Sequence, residues 1–345
     1  MKRLLPFTFF LLSVTAFAQP GINKAQLFYQ KGLEQRSVGA IPEALRLFSQ
    51  AAELDTGNFI YSYERGYTLA LAGMYPAALE EMKNASRKTG ANDTCFRMLG
   101  SLFSKTGDTA SAMKALNNGL LKFPRSARLY AEKGILLIGE NQPGRAADCF
   151  DRGIAAEPMY SINYYHAAKL SLASPEKHWG MVYGEIFLLI DTESDKRSEI
   201  RQMLYDTYVN SIKTVSPGKV ELSFCVNAKD KNPFCKVYSG CLGSAVTPGS
   251  ALNLATLAEI RTKFLGKYYT DKLNEKFPNP LFAHQEKMQK AGVLEAYHYW
   301  VLNVGEKERF IGWYDQHQEE FQKLLGWMAL NPLKIDASTA FARKP

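Results

Sequence analysis

A glycine recurs every 34 residues along the first half of the chain, at Gly32, Gly66, Gly100 and Gly134, and the small Ala168 follows in the same register. Twelve residues after these come Ala44, Ala78, Ala112, Ala146 and Gly180. Four residues further stand the large Phe48, Met82, Leu116 and Phe150, and three beyond those the small Ala51, Ala85, Gly119 and Gly153. Phe28, Phe96, Tyr130 and Tyr164 occupy equivalent places ahead of the glycines, with Ser62 as the exception. The glycines sit inside helix-forming stretches such as FRMLGSLFSK. A helix-interior glycine costs about 1 kcal/mol relative to alanine, so the absent Cβ has to permit something that offsets it, namely close approach of a neighbouring helix. Small and large positions in a fixed 34-residue register encode two antiparallel helices per unit. Neither helix can bury its apolar face alone, so each unit has to stack on the next.

The register gives units at 25–58, 59–92, 93–126 and 127–160, and a degenerate fifth at 161–194. In the last, Gly184 and Phe187 replace a large and a small residue, and Ser171 stands where earlier units have Phe103 or Leu137. Pro124 and Pro158 lie near unit ends, where a helix should stop. The stretch KRSEIRQMLYDTYVNSI then predicts one more amphipathic helix, with Ile200, Met203, Leu204 and Tyr208 on one side, as a cap on the array.

The copies DTCFRMLGSLFSKTGDTASAMKALNNGLLKFPRS and ARLYAEKGILLIGENQPGRAADCFDRGIAAEPMY resemble the tetratricopeptide repeat (TPR) family. The resemblance implies an all-α fold, a right-handed superhelix (α-solenoid), over residues 25–194. It also implies that the first helix of each unit lines a concave surface through unit positions 2, 5, 9, 12 and 13. Those positions hold no acidic residue here. They hold Tyr29, Arg36, Tyr63, Tyr67, Arg97, Lys105, Arg128, Tyr165 and Lys169, along with apolar residues such as Ile135 and Ile138. Arginine forks carboxylates, and tyrosine offers apolar area with a polar tip, so the expected ligand is a peptide segment that is acidic or carboxylate-terminated. The competing reading makes the basic residues solvated and the tyrosines packing groups. The lysine and asparagine pattern of the family's carboxylate clamp is not matched, because Tyr29 and Leu33 stand in its place.

Lys2 and Arg3 precede the apolar run 4–17, and Ala16-Phe17-Ala18 fits a small-x-small cleavage site before Gln19. Residues 1–18 therefore read as an export signal peptide cleaved near Ala18. A membrane anchor is the alternative, but Pro6 breaks the run and it falls short of the roughly 20 residues that span a bilayer. The first cysteine is Cys95, so no lipid-attachment cysteine follows the cleavage point. The expectation is a soluble mature protein, periplasmic or secreted, with no integral membrane segment. Losing the two leader cations lowers the formal charge from +8 to +6, with no block of like charge, which argues against nucleic acid. The expected partner is another protein or peptide of the cell envelope.

Residues 195–250 are expected to hold the capping helix and a cysteine-containing connector. In SFCVNAKDKNPFCKVYSGC, nine and five residues separate Cys225, Cys235 and Cys241. Zinc sites favour two-residue spacings and four ligands, and the nearest histidines in the sequence are His178 and His284, so no metal is expected. In an oxidising compartment one disulfide is expected, Cys225 with either Cys235 or Cys241. Cys95 and Cys149 read as small buried hydrophobes.

Residues 251–335 read as a small C-terminal helical bundle and 336–345 as a loose tail. A first helix is expected from a Thr256/Glu259 capping box to near Phe277, a second over about 281–304 and a third over about 306–330. Its many aromatics, such as Tyr268, Trp300 and Trp327, read as core or as docking groups. This layout resembles exported TPR proteins of Bacteroidetes. Neither HExxH, a glycine-rich phosphate loop nor a GxSxG elbow is present, and no catalytic residue or cofactor is expected. The leading expectation is a protein-binding scaffold. The alternative is an enzyme with chemistry in the bundle and repeats that recruit substrate, which a deep cavity converging on Glu295 and His298 would mark.

Overall fold

The computed structural model describes residues 23–192, 194–216, 218–225 and 233–343. The leader at 1–18 lies outside the described residues. Contacts divide the chain into two compact units, Met1–Ala91 and Asn92–Pro345.

The first unit holds two helical pairs, α1 (Lys24–Ser37) with α2 (Ile41–Leu54) and α3 (Phe59–Leu71) with α4 (Tyr75–Arg87). Each first helix starts on an asparagine whose side chain accepts a backbone N–H, Asn23 from Ala25 and Asn58 from Ile60. Each second helix carries proline in its first turn, where an N–H has no intrahelical partner to lose. The turn inside each pair passes through a glycine at positive φ, Gly39 at 77° and Gly73 at 74°. Ala44, Phe48 and Ala51 are fully buried, as are Ala78, Met82 and Ala85, so the recurring small and large residues are the core.

The second unit continues with α5 (Asp93–Lys105) and α6 (Thr109–Lys122), α7 (Ala127–Gly139) and α8 (Pro143–Ala156), and α9 (Ser161–Leu172) and α10 (Lys177–Ile190). The degenerate fifth repeat is thus a formed helical pair. α11 (Lys196–Ser211) packs on it as the expected extra helix, burying Ile200, Leu204 and Tyr208. α10 differs from the earlier second helices, since eleven of its fourteen residues are buried. A helix that is apolar on all sides needs cover on all sides. The C-terminal region supplies it.

That region is more divided than the sequence pattern predicts. A short antiparallel hairpin, β1 (Ile212–Ser216) with β2 (Lys219–Leu222), pairs Ile212 with Leu222 and occupies part of the expected connector. It is followed by α12 (Phe234–Ala245), α13 (Leu254–Thr270) and the single-turn α14 (Leu273–Lys276). Asn253 caps α13, in a capping box closed by Thr256 one turn before the expected one. The expected second long helix is two, α15 (Pro280–Lys290) and α16 (Leu294–Leu302), separated at Gly292, whose φ is 67°. The expected third is also two, α17 (Lys307–Gln316) and α18 (Gln318–Leu330). His317 divides them, stacking on Trp313 and donating from Nδ1 to the Trp313 carbonyl.

The tail is not loose. Ahead of it Leu333 and Ile335 are buried, and within it the Phe341 ring lies 4.8 Å from Phe234 and 5.2 Å from Trp179. The Arg343 N–H donates to the Tyr183 hydroxyl at 2.7 Å, and its guanidinium reaches Asp148, Asp151 and Glu176. The tail's partners lie about half the chain away, so its local polarity gave no sign of docking. No helix among the described residues is long and apolar enough to cross a membrane.

Candidate functional site

The expected groove residues are on the first helices, but they do not form a bare positive surface. In the first unit Arg36 pairs with Glu64, bonds Thr68 at 3.3 Å and lies 5.0 Å over the Tyr67 ring. Tyr63 and Tyr67 stack at 6.3 Å, and Tyr29 tilts against Tyr61 at 5.7 Å. In the second unit Arg97 faces Glu132 at 3.8 Å, Arg128 faces Glu157 at 3.8 Å and Lys169 pairs with Glu199 at 2.7 Å. The Tyr165 hydroxyl donates to the same Glu199. Burial pushes the Glu132 carboxyl up, opposed by the Arg97 charge, a Ser101 hydrogen bond and then the Lys105 charge.

The five inward positions hold no acid, but the face they share does. Glu64 and Glu132 occupy unit position 6, beside inward position 5 and about 100° further around the helix, which turns them toward the preceding first helix. Counting only the five inward positions left them out. Arg36, Arg97, Arg128 and Lys169 each meet a carboxylate from a later helix or turn, and the Lys105 charge also acts on Glu132. Ile135 and Ile138 remain 41% and 39% exposed on α7, which stands between α5 and α9.

The second helices carry what the sequence reading missed. Asp151 and Glu185 lie 34 residues apart, at one repeat position, where earlier units have Ser49, Lys83 and Asn117. Both acids are buried, and each is held by an arginine from far downstream. Arg343 takes Asp151 at 2.9 Å, while Arg261 forks both oxygens of Glu185 at 2.7 Å. Gln285 and the Tyr297 hydroxyl also donate to Glu185, at 2.8 and 2.9 Å. The sequence signal was an acid at the same repeat position in two successive units, set in α10 within a nearly all-apolar run.

His298 belongs to this network. Its Nδ1 accepts from Arg261 Nε at 2.9 Å, and burial followed by the Arg261 charge holds its pKa well below the usual histidine range. Glu295, one turn away, is exposed, so the two side chains do not converge. The cavity beside Glu185 and Arg261 measures about 10 Å³, room for a water and too small for a substrate.

Of the two disulfides left open by the sequence, the structure has Cys225–Cys235, with Cys241 free and buried. The sequence also placed histidine away from these cysteines, whereas His178 Nδ1 lies 3.2 Å from Cys225 Sγ. The three ligand atoms fall within 4.8 Å of one another. With the sulfurs bonded together neither is a thiolate, the form that binds metal.

One contact recurs through all four complete pairs. A Cβ on Gly32 would lie 2.6 Å from the Phe48 ring, on Gly66 3.1 Å from Met82, on Gly100 2.7 Å from Leu116 and on Gly134 2.5 Å from Phe150. Glycine of the first helix against the large residue of the second, repeated at 34-residue intervals, settles the architecture. The helical pairs have the tetratricopeptide repeat fold. No family model matches it. Rat mitochondrial import receptor subunit TOM70 is 25% identical over 189 residues, covering 49% of this chain and 31% of that one. The human protein of the same name is 28% identical over 134 residues, covering 36% and 22%. This TPR chain thus matches about a third or less of the length of these curated relatives. Among solved structures, MamA is 17% identical with a TM-score of 0.40, covering 48% of this chain and 91% of its own. PilF of Pseudomonas aeruginosa is 14% identical with a TM-score of 0.47, covering 53% and 82%.

Proposed function

We propose that this TPR protein is an exported interaction scaffold whose first helices hold a peptide segment of another cell-envelope protein. The binding faces comprise Tyr29, Arg36, Tyr63 and Tyr67 in the first unit and Arg97, Lys105, Arg128, Tyr165 and Lys169 in the second. The observation that carries this reading is the exposure of Ile135 and Ile138 on a face otherwise occupied by paired charges. An apolar centre with a polar rim is the make-up of a protein-binding patch. Because the cations already face carboxylates, acidity alone does not select the partner. The preferred segment inserts an apolar side chain against Ile135 and Ile138, and its charges compete for Arg97, Glu132 and Lys169. The more exposed pairs, Arg128 with Glu157 and Lys169 with Glu199, contribute only about 0.2–1 kcal/mol each, so exchanging them for a partner's charges costs little. A protein-binding use also agrees with the curated relatives being receptor subunits. Export is supported by the leader sequence and by Cys225–Cys235, a bond that persists in oxidising compartments. The enzyme alternative has no converging catalytic pair behind it, since Glu295 faces solvent and His298 is bonded within the core.

The test immobilises the mature protein and an Ile135→Asp/Ile138→Asp variant, passes envelope extract over both and compares the retained proteins by mass spectrometry. Circular dichroism checks that the variant is folded. A protein held by the parent and lost from the folded variant is expected. Identical retention by both removes the α7 face from the proposal.

A further inference from the structure

The second unit contains a concave surface away from the first helices of the repeats. α15, the turn before it and the docked tail enclose an open cleft of about 1330 Å³ in the second unit. Small-molecule sites usually measure about 300–1,000 Å³, so this one is of a size for a chain segment. Its walls include the half-buried rings of Phe277 and Phe341. Pro278, Pro280 and Pro332 also line it and have no N–H to offer a pairing strand, which shifts recognition from backbone ladders to side chains.

The charges along the cleft are unequal in availability. Its two carboxylates are already engaged, Glu176 by Arg343 at 3.3 Å and Glu286 by Lys290 at 2.7 Å. Lys276, Lys287 and Lys334 are exposed and make no ion pair among the described residues. Asn279 at the base of α15 is 4% exposed, and its Oδ1 accepts from the N–H groups of Leu281 at 2.9 Å and Phe282 at 3.4 Å, which fixes this end of the cleft wall.

We propose that this cleft is a second docking surface, which takes an extended acidic peptide segment with apolar side chains. Carboxylates of the segment meet Lys276, Lys287 and Lys334, and its apolar side chains lie against Phe277 and Phe341. The chain then has two peptide-binding faces of different charge character, the repeat face with paired charges and this one with a net positive rim.

The test uses the full mature chain and fluorescence anisotropy with two labelled synthetic peptides, one alternating glutamate with leucine and phenylalanine and one with lysine in place of each glutamate. The expected result is binding of the glutamate peptide alone, weakened by added salt and at least about tenfold weaker in Lys276→Glu/Lys287→Glu/Lys334→Glu. These lysines are exposed, so the triple variant should keep its circular dichroism and melting temperature. Ile135→Asp/Ile138→Asp should leave the affinity unchanged, which separates this proposal from the repeat-face reading. No binding of the glutamate peptide, equal binding of both peptides, or an affinity unchanged by the triple reversal would overturn it. Adsorption to anionic lipid vesicles without peptide binding would overturn it as well.

Discussion

Two sets of arginine–carboxylate contacts divide this molecule by purpose. On the first helices Arg97 and Glu132 stand 3.8 Å apart with side chains 30% and 21% exposed. At the junction with the C-terminal bundle Arg261 and Glu185 meet at 2.7 Å with side chains 4% and 6% exposed. The chemistry is the same and the surroundings differ. The first pair is half-buried and stands farther apart, and burial already pushes the Glu132 carboxyl up, so the two charges are less tightly committed to each other and a ligand's group can take the place of either. In the second, each charge has lost its hydration and depends on the other, with Gln285, Tyr297 and His298 completing the set. The difference teaches that the outer face of the last two repeats is closed by the chain itself, while the inner face is left in an exchangeable state.

The largest expected effect comes from breaking the buried member alone. Glu185→Ala or Arg261→Ala leaves an unpaired buried charge and should cost about 3–5 kcal/mol in denaturant unfolding. Replacing the two together with apolar residues of similar volume should recover much of that loss. If either single variant behaves like a surface mutation, the junction is wet and the contrast fails.

A second test uses pH at Asp151, the other buried acid of this face. Burial pushes its pKa up to about 6, outweighing Arg343 and Tyr183. A carboxyl whose folded pKa lies above its unfolded value binds its proton more tightly when folded, so its contribution falls as pH rises from about 4 to about 6. The corresponding loss is on the order of 2–3 kcal/mol. Asp151→Asn should flatten that part of the stability profile, measured by urea unfolding at fixed temperature, and an unchanged slope would assign it to other groups.

Packing within a repeat should give an intermediate effect. Gly134→Ala places a Cβ 2.5 Å from the Phe150 ring and should destabilise by about 1–3 kcal/mol, whereas Gly139→Ala meets nothing within 4 Å. Equal melting temperatures for the two variants would contradict the packing role of the repeated glycines. The smallest effect is expected on the inner face itself, where Arg97→Ala should change stability by less than about 1 kcal/mol.

These contrasts also mark how far the sequence could be read. The repeat was legible because its signal is local and recurrent, and Gly100 against Leu116 is one contact written four times in one register. The bundle was legible only as helices. Gly292 and His317 divide two expected long helices, and the residues that fix the tail, Phe341 and Arg343, act on Trp179, Phe234 and Asp151 across distances that no local period carries. The groove was half legible. Its cations were found from the inward positions, but Glu64 and Glu132 stand one residue off that pattern and change the character of the face. His178 beside Cys225 was hidden for the same reason as the tail, since 47 residues separate two groups that the fold brings to 3.2 Å.

The claim at the centre is that the face of the first helices, not that of the second helices, engages another protein. Site-specific photo-crosslinking in living cells tests it directly, with a photoreactive amino acid placed at Ile135 in one strain and at the exposed second-helix residue Asn117 in another. A discrete adduct from Ile135 and none from Asn117 is the predicted result. An adduct from Asn117 with none from Ile135 would contradict the account.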